Sequence, residues 1–481
     1  MAKMTDALLA ARGALDYAVG WLEYRVWRTR VPGAQVAVMI GDDLIVNRAV
    51  GMADTESEER LGTAHQFRIA SHSKWLTATA FLRLAEADVL ALDDPASAFV
   101  TELEGTPFAD VTIAELLSHG SGITRDSDDK GFWSADGDFP DRERLLETVR
   151  AGGDVVEPNA VFKYSNFGFG LLGLVLEAVT ERTYEETMRE LVTRPLGLTR
   201  TVPDIDDRKS AKPVTGHSGI VTDHRRTPMP SPSAGALHAA TGFTSTAAEL
   251  ARFGRAHVYG NEELLSDRSK ARMQRAHWTY RDRSGAEASY GLGTMRTEIG
   301  GSLWVGHGGS WLGQSTRTLV EPRLGIVITV LTNSIDGPAD ELARGIAKLI
   351  LQSQKTSSKP LSLVAEAGPA VGSASASPTR GSKRVELSRF MGRFASEWSI
   401  VDVVQVGERL LAISPQSPDP IAAAIELTVI DEQTLRLPLD PGFDSVGELL
   451  HYDFDAKGRV RSISGGWDVR PASSLESFPL S

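Results

Sequence analysis

The sequence of 481 residues contains no cysteine, and this absence excludes several kinds of chemistry. Without cysteine the chain can form no disulfide bond, no thiolate metal site and no thiol nucleophile. An excess of basic residues is also missing, because 51 lysines and arginines face 63 aspartates and glutamates, which leaves a net charge of −12. That balance argues against a protein that binds the phosphate backbone of nucleic acids.

Long hydrophobic runs are absent as well. No stretch of about 18 apolar residues indicates a membrane span, and the first 30 residues mix apolar with charged positions where a signal peptide would have an unbroken apolar segment. We therefore expect a cytoplasmic protein with no membrane partner; had a leader been removed, we would expect a periplasmic or secreted one. The ten histidines are scattered, and none has a His-Glu-x-x-His spacing, so we expect no metal and no cofactor.

Length and composition predict two folded domains joined by a linker. An apolar share of 41% is typical of globular proteins, and 481 residues exceed what one core usually serves. Residues 1–352 alternate helical and strand-like patterns, which predicts an α+β fold with an antiparallel sheet flanked by helices and an all-helical subdomain. Residues 353–384 are rich in Ser, Ala, Gly and Pro, as in a flexible linker. Residues 385–481 return to short alternating segments, which predicts a small all-β barrel.

The first candidate for chemistry lies in residues 67–81. Ser71 and Lys74 are three residues apart where an apolar helical period begins, so both side chains lie on one helix face. A serine at a helix N-terminus has free backbone N–H groups beside it, which suits a nucleophile whose substrate develops a negative oxygen. Ser-x-x-Lys alone is a weak signal, and it recurs at Ser127 and Lys130, which we interpret as a loop because no helical period surrounds them.

A serine nucleophile needs proton handlers, and the chain offers two. Lys74 can act as the base if burial or nearby positive charge depresses its pKa. Tyr164, in Tyr-Ser-Asn, is the candidate for the second proton handler, and Asn166 can donate to a carbonyl group and hold the Lys74 amine. A rival Tyr-x-Asn begins at Tyr259, but there Gly-Asn is more typical of a helix C-cap.

The segment His307-Gly-Gly309 is the third element. Its small residues let a substrate backbone lie along a strand edge, and the N–H of Ser310 can pair with that of Ser71 as an oxyanion hole. A similar His-Ser-Gly begins at His217, but it lies in a loop rich in Pro and Gly with no strand pattern around it.

Two further patterns are compatible with a functional site or with plain packing. Phe132, Trp133 and Trp311 are candidates to line the substrate cleft, although aromatic residues in such positions are about as often part of the core. The glycines in residues 168–173 match the Gly-x-Gly-x-x-Gly dinucleotide pattern, but they lie inside an apolar helical run without a βαβ unit. We therefore expect these glycines to let a helix pack closely against a neighbour.

The ordered set Ser-x-x-Lys, Tyr-x-Asn and His-x-Gly resembles the serine β-lactamase and penicillin-binding-protein superfamily, in its branch of class C β-lactamases, DD-peptidases, D-aminopeptidases and CubicO-type peptidases. The resemblance covers about residues 1–352 and includes Leu-Asp-Asp-Pro, Leu-Leu-Ser-His-Gly-Ser-Gly and Tyr-Gly-Leu-Gly segments. It implies that Ser71 is the acylated nucleophile and that Lys74 and Tyr164 share the base and acid roles. It also implies that Asn166 and His307 orient the substrate.

One departure from the family pattern bears on the substrate. Penicillin-targeting members usually carry Lys-Thr-Gly where this chain has His307-Gly-Gly309, and His-x-Gly is similar to D-aminopeptidases and CubicO-type peptidases. A linker followed by a small β-barrel is similar to CubicO-type peptidases with a lipocalin-like tail. That resemblance implies a tail that restricts the active site and helps to form a homo-oligomer.

These observations lead to three hypotheses. The leading one is a serine hydrolase that needs no cofactor and acts through an acyl-enzyme on amide bonds of small peptides, D-residues included. A carboxylesterase similar to family VIII, or a β-lactamase, on the same scaffold is the alternative. A non-catalytic penicillin sensor or scaffold protein is the third.

Overall fold

The computed structural model describes most of the chain between residues 2 and 473. The described residues are 2–127, 130–151, 156–205, 212–220, 225–281, 287–355, 386–396, 400–406, 409–414, 424–439 and 445–473. Most of the linker predicted for residues 353–384 lies outside them, although its first three residues belong to a helix that ends at Lys355.

Helices occupy both ends and the middle of the first 355 residues. The α-helices are α1 (Ala2–Arg28), α2 (His72–Glu86), α3 (Ile113–Ser118), α4 (Arg142–Arg150), α5 (Asn166–Thr180), α6 (Tyr184–Met188), α7 (Ala247–Arg255), α8 (Asp267–Gln274) and α9 (Ala339–Lys355). Short 3-10 helices lie at Ala96–Ala98, Thr101–Leu103, Gly131–Ser134, Gly235–Leu237 and Leu387–Phe390, and π-helical segments at Arg189–Thr193 and His238–Gly242. Among the described residues, no helix is both long enough and apolar enough to cross a bilayer.

The strands of the first domain form one large antiparallel sheet and two small ones. They are β1 (Gly33–Ile40), β2 (Asp43–Asp54), β3 (Glu59–Arg60), β4 (Phe67–Arg68), β5 (Gly216–His217), β6 (Pro228–Met229), β7 (Thr244–Ser245), β8 (Trp278–Arg281), β9 (Glu287–Tyr290), β10 (Met295–Ile299), β11 (Ser302–Trp311), β12 (Gln314–Glu321) and β13 (Ile326–Thr332). The large sheet has the order β3-β2-β1-β13-β12-β11-β10-β9-β8.

The centre of the large sheet is covered on both faces. Every residue of β1 and β13 is buried, as expected for strands rich in Val and Ile between two helical layers. Helices α1 and α9 pack on one face, and α2 and α7 belong to the larger core on the other. Together with the helical block from α3 to α6, this arrangement confirms the α+β fold that the sequence predicts.

The glycines of α5 have the packing role that the sequence predicts. A Cβ at Gly170 would lie 3.0 Å from the Leu145 side chain of α4, and one at Gly173 would lie 3.1 Å from Ala239. Both distances are tighter than ordinary van der Waals contact, so these glycines let α5 approach its neighbours closely. The dinucleotide interpretation therefore has no structural support.

The alternating pattern of residues 290–295 predicts a strand, but these residues do not form one continuous strand. Strand β9 ends at Tyr290 and β10 begins at Met295, and between them the Gly291 N–H donates to the Thr294 carbonyl at 2.8 Å. Gly293 has a φ of +60°, and a Cβ there would lie 2.5 Å from Ala78 of α2. The segment is a tight turn packed on α2, which explains its alternate glycines.

The second domain is a β-barrel. Its strands are β14 (Gly392–Ala395), β15 (Ile400–Val406), β16 (Arg409–Ile413), β17 (Ile425–Val429), β18 (Thr434–Arg436), β19 (Leu449–Phe454), β20 (Val460–Gly465) and β21 (Arg470–Pro471). They follow the order β20-β19-β18-β17-β16-β15-β14-β21, and a bridge between Ile463 and Val469 nearly closes the barrel. Its interior is apolar and includes Phe394, Leu435 and Leu450. The predicted C-terminal barrel is thus confirmed.

Candidate active site

Ser71 stands at the beginning of α2, as the sequence predicts. It is the N-cap residue, but its hydroxyl accepts no hydrogen bond from the backbone of the helix, so the oxygen is left to side-chain partners. The preceding Ala70 has a φ of +47°, a left-handed conformation that costs a non-glycine residue about 1–2 kcal/mol. The pairing of β4 with β7 and the hydrogen bond from the Ser73 hydroxyl to the Ala70 carbonyl hold this turn in place.

The Lys74 amine lies among three oxygen atoms. Its Nζ is 3.3 Å from Ser71 Oγ, 2.7 Å from Asn166 Oδ1 and 2.9 Å from the Ala240 carbonyl oxygen. The side chain is fully buried, and its Nζ lies 4.6 Å from the centre of the Tyr164 ring. The prediction that Lys74 would approach the Ser71 hydroxyl agrees with this geometry.

The surroundings of Lys74 favour its neutral form. Burial, and then the nearby Arg125 guanidinium, hold the pKa of the Lys74 ammonium well below its usual value, although Asp126 opposes them. A neutral amine has two N–H groups, and Asn166 Oδ1 and the Ala240 carbonyl can only accept hydrogen bonds. The lone pair of the amine is then directed to Ser71, where it can take the hydroxyl proton.

Asn166 owes its orientation to an acidic neighbour. Its Nδ2 donates to Asp126 Oδ1 at 2.9 Å, and a carboxylate can only accept, so the amide oxygen must face Lys74. Asp126 in turn accepts from Arg125 Nη1 at 2.8 Å. The backbone N–H of Asn166 also donates to the Arg125 carbonyl at 2.8 Å. The segment around residue 125 therefore positions the amide that contacts the Lys74 amine.

The Tyr164 hydroxyl is the second side-chain group in contact with the Ser71 hydroxyl. Burial raises the pKa of its phenol, against the smaller opposite effects of a hydrogen bond shared with Ser71 and of Arg125. The ring is 3% exposed and packs at 4.2 Å between ring centres on His119. Tyr164 is thus held as a neutral phenol in contact with the Ser71 hydroxyl. The structure brings together the three side chains on which the sequence analysis depends.

His307 belongs to β11, but its side chain is buried and does not project from the exposed edge of the strand. The side chain is 1% exposed, its Nδ1 donates to the Gly308 carbonyl at 2.6 Å, and its Nε2 accepts from the Tyr290 hydroxyl at 2.9 Å. Burial and then the neighbouring His72 hold the pKa of His307 well below its usual value, so the ring is neutral. Both ring nitrogens are occupied, and the ring therefore supports β11 where the sequence analysis expected it to contact substrate.

Gly309 and Ser310 lie beside the beginning of α2. A Cβ at Gly309 would be 2.1 Å from the Ile69 carbonyl oxygen, so only glycine permits this approach of β11 to the turn before Ser71. Ser310, the next residue, is exposed. That backbone N–H groups of Ser71 and Ser310 form an oxyanion hole stays a prediction.

The predicted cleft-lining aromatics divide into two groups. Phe132 and Trp311 are 2% and 0% exposed and belong to the main core, where Trp311 stacks on Phe139 with ring centres 4.9 Å apart. The burial of both rings favours the packing role that the sequence left open beside the cleft-wall role. Trp133 is partly exposed and packs on the edge of the same cluster. It stays a candidate for contact with substrate.

Sequence reasoning missed several residues that build the site. His119 accepts from the Ser165 N–H through Nδ1 at 3.1 Å, and its ring lies between those of Tyr164 and Tyr290. Within the described part of the chain, the Nε2 of His119 has no hydrogen-bond partner. Apart from the resemblance, nothing in the sequence indicates that the segments of His119 and Tyr290 belong to the site. Ala240 and Asp126 carry no sequence signal, because their roles depend on contacts made across the fold.

The described residues contain no group of three or more His, Cys, Asp or Glu side chains arranged to hold a metal ion. The rival motifs have structural roles. Lys130 is buried and directly precedes the short 3-10 helix Gly131–Ser134. His217 bonds to Thr55 and to the Asn333 carbonyl. Gly260 and Asn261 are not the C-cap that the sequence predicts, because α7 ends at Arg255 and its C-cap is Ala256.

Comparisons with known proteins found similar sequences and similar folds. Penicillin-binding protein 4 of Amycolatopsis lactamdurans is 29% identical over 332 residues, which cover 63% of this chain and 81% of that protein. An octameric penicillin-binding protein homologue from Pyrococcus abyssi superposes with a TM-score of 0.62 at 20% identity and covers 95% of this chain and 100% of that one.

A D-amino acid amidase from Ochrobactrum anthropi SV3, complexed with D-phenylalanine, superposes with a TM-score of 0.58 at 19% identity. It covers 73% of this chain and 100% of that chain. At such identities the two structures show a shared fold, and together with the sequence match they support serine hydrolase activity. The family model described as beta-lactamase matches residues 6–352, and the chain therefore belongs to the beta-lactamase family, within the serine β-lactamase and penicillin-binding-protein superfamily.

Proposed function

We propose that this protein is a serine hydrolase that forms an acyl-enzyme on Ser71 and cleaves amide bonds of small peptides or amino acid amides, D-residues included. The observation that carries the proposal is the buried Lys74 amine, placed between Ser71 Oγ and two groups that can only accept hydrogen bonds. That arrangement turns the lysine into a base aimed at the serine hydroxyl.

Acylation follows from this placement. Ser71 Oγ attacks the substrate carbonyl while its proton moves to Lys74 Nζ, and the negative charge that develops on the carbonyl oxygen is stabilised by the N–H groups of Ser71 and Ser310. The carbon–nitrogen bond then breaks, and the departing amine takes a proton that Tyr164 relays from Lys74. The acyl group is left as an ester on Ser71.

Deacylation reverses the same proton path. A water molecule replaces the departed amine, loses its proton to the Tyr164 and Lys74 pair, and attacks the ester carbonyl. The ester bond breaks, and Ser71 Oγ recovers its proton. Because Lys74 is fully buried, it exchanges protons through Ser71 and Tyr164.

An extended peptide suits the strand edge beside the nucleophile. Within the described residues, β10 pairs with β11 only as far as Gly306, so the backbone of residues 307–311 lacks a strand neighbour on that side. An extended substrate can add there by backbone hydrogen bonds. The amidase neighbour complexed with D-phenylalanine supports the inclusion of D-residues.

The proposal is tested by labelling and turnover. Incubation with a fluorophosphonate should add one phosphonyl group at Ser71, seen by intact mass and peptide mapping, and Ser71→Ala should prevent it. Turnover of D- and L-aminoacyl anilides should be compared with that of p-nitrophenyl esters and a chromogenic β-lactam. No adduct at Ser71 would contradict the hydrolase mechanism, and turnover of esters alone would favour the carboxylesterase.

We also propose that the boundaries at residues 352 and 384 separate two folding units, and that copies of the chain associate through the C-terminal domain. The octameric homologue, which shares both domains, supports association. Light scattering on the purified protein tests it, and a monomer mass at all concentrations would contradict it.

A further inference from the structure

A cluster of charged side chains lies where the barrel meets the first domain. Lys163 is fully buried, and Asp126, Lys130 and Glu448 are 2%, 7% and 8% exposed. Glu448 belongs to the barrel, in the turn before β19, and the other three belong to the first domain. Charges are rarely buried unless they are paired, so this contact between domains requires complementary groups on both sides.

Glu448 supplies the complementary charge. Its Oε1 accepts from Lys163 Nζ at 2.8 Å, from the backbone N–H of Arg125 at 3.1 Å and from the Thr124 hydroxyl at 3.4 Å. Lys163 Nζ also donates to the Val446 carbonyl of the barrel at 3.1 Å. Burial alone would raise the pKa of Glu448, but the ammonium groups of Lys163 and Lys130 outweigh it and hold that pKa below its usual value.

The groups that Glu448 holds are direct neighbours of the catalytic groups. Lys163 precedes Tyr164 in the chain. The backbone N–H of Arg125 donates to Glu448, and the backbone carbonyl of Arg125 accepts from the Asn166 N–H at 2.8 Å. One residue further, Asp126 orients the Asn166 amide towards Lys74. Both paths from the barrel carboxylate therefore end on side chains that contact Ser71 or Lys74.

We propose that Glu448 is a positioning residue of the active site, through which the C-terminal barrel fixes Tyr164 and Asn166 against Ser71 and Lys74. The barrel is then a working part of the catalytic apparatus and more than a cover for the cleft. This inference rests on the proposed function, because it takes Ser71 as the nucleophile.

The test uses the full chain and a small fluorophosphonate that reports on the reactivity of Ser71. Glu448→Ala removes the hydrogen bonds that Glu448 accepts from Lys163 and from the Arg125 N–H. We expect the acylation rate constant to fall by about 10- to 100-fold, because small displacements of catalytic groups cause losses of this size. Glu448→Gln keeps an oxygen acceptor for the Arg125 N–H and should recover part of the loss. The matched control is Glu426→Ala, since Glu426 is an exposed barrel residue paired with Arg409.

The readouts separate positioning from mere stability. The rate constant fitted to the time course of Ser71 labelling does not depend on how much of the protein is folded. The final labelled fraction does. With an amide substrate, kcat should fall while KM changes little, because Glu448 is buried and acts through Tyr164 and Asn166. Acylation of Glu448→Ala within about twofold of the unmodified rate, or a change in KM alone, would overturn the inference and leave the proposed function intact. An unmodified protein that takes no adduct at Ser71 would overturn both.

Discussion

The protonation of Lys74 decides whether Ser71 can react, so the pH dependence of the rate reports on its surroundings. Burial and Arg125 lower the pKa of Lys74, and burial raises that of Tyr164. The base works when neutral and the phenol works when protonated. We therefore expect kcat/KM to rise with pH to a plateau that begins well below pH 10.5, and to decline only well above pH 10, because burial raises the pKa of Tyr164 above its ordinary value. A profile of kcat/KM checks this expectation.

Two neighbouring variants should move the acidic limb of that profile in opposite directions. Arg125→Gln removes a positive charge that lowers the pKa of Lys74, so the limb should shift to higher pH. Asp126→Asn removes a negative charge that raises this pKa, so the limb should shift to lower pH. Each variant is the control for the other. Shifts of the same sign in both would show that the limb does not belong to Lys74.

The hydroxyl of Tyr164 can be tested apart from its ring. Tyr164→Phe keeps the ring that covers the Lys74 amine but loses the hydrogen bond with Ser71, and kcat/KM should fall by about 10²- to 10⁴-fold. The matched control is Tyr184→Phe. Tyr184 is a buried tyrosine of α6 whose hydroxyl bonds to Thr77 of α2, the helix that also carries Lys74. The control should keep its activity and lose about 1 kcal/mol of the free energy of unfolding. Equal activity in both variants would contradict a proton-handling role for Tyr164.

At the scale of elements, the contact between β11 and the beginning of α2 sets the geometry of the oxyanion hole. Gly309→Ala would place a methyl group 2.1 Å from the Ile69 carbonyl oxygen, so the strand must move. We expect kcat/KM to fall by about 100-fold, because a displacement of about 1 Å misaligns the N–H groups.

The neighbouring glycine provides the control for that change. In Gly308→Ala the nearest backbone atom, the Thr316 carbonyl oxygen, is 3.3 Å away, and a few tenths of an ångström of movement relieve the contact. Activity should therefore be far better preserved than in Gly309→Ala. If the two variants lose activity equally, the close approach to Ile69 is not what matters.

The elements also show which features are visible in a sequence. Ser71 and Lys74 could be predicted because one helical turn brings them together, and the strands of the barrel could be predicted from short-range alternation. Residues 290–295 were misread, because Tyr-Gly-Leu-Gly has the alternation of a strand while its glycines serve a turn against α2. For Phe132 and Trp311 the sequence left a cleft wall and a core position both open, because hydrophobicity does not distinguish the two, and the structure buries both rings.

At the scale of the molecule, the contact between the domains was beyond sequence reasoning. Glu448 and Lys163 are 285 residues apart, and no local pattern relates them. The resemblance implied only that a C-terminal tail restricts the active site. That the Glu448 carboxylate contacts the first domain became visible only in the three-dimensional structure. A buried carboxylate paired with lysine makes the cohesion of the whole molecule depend on pH.

The sign of that dependence follows from the pKa of Glu448. Because its folded-state pKa lies below the ordinary value of 4.5, the carboxylate contributes stability that is fully present above pH 4.5 and is lost as the pH falls through the folded-state value. Glu448→Gln should therefore unfold at a lower temperature than the unmodified protein at pH 7, and the difference should shrink below pH 4.5. Differential scanning calorimetry over this range measures it. Glu426→Gln, on the exposed side of the barrel, should differ little at either pH, and a Glu448→Gln difference that persists unchanged in acid would show that the carboxylate charge does not hold the domains together.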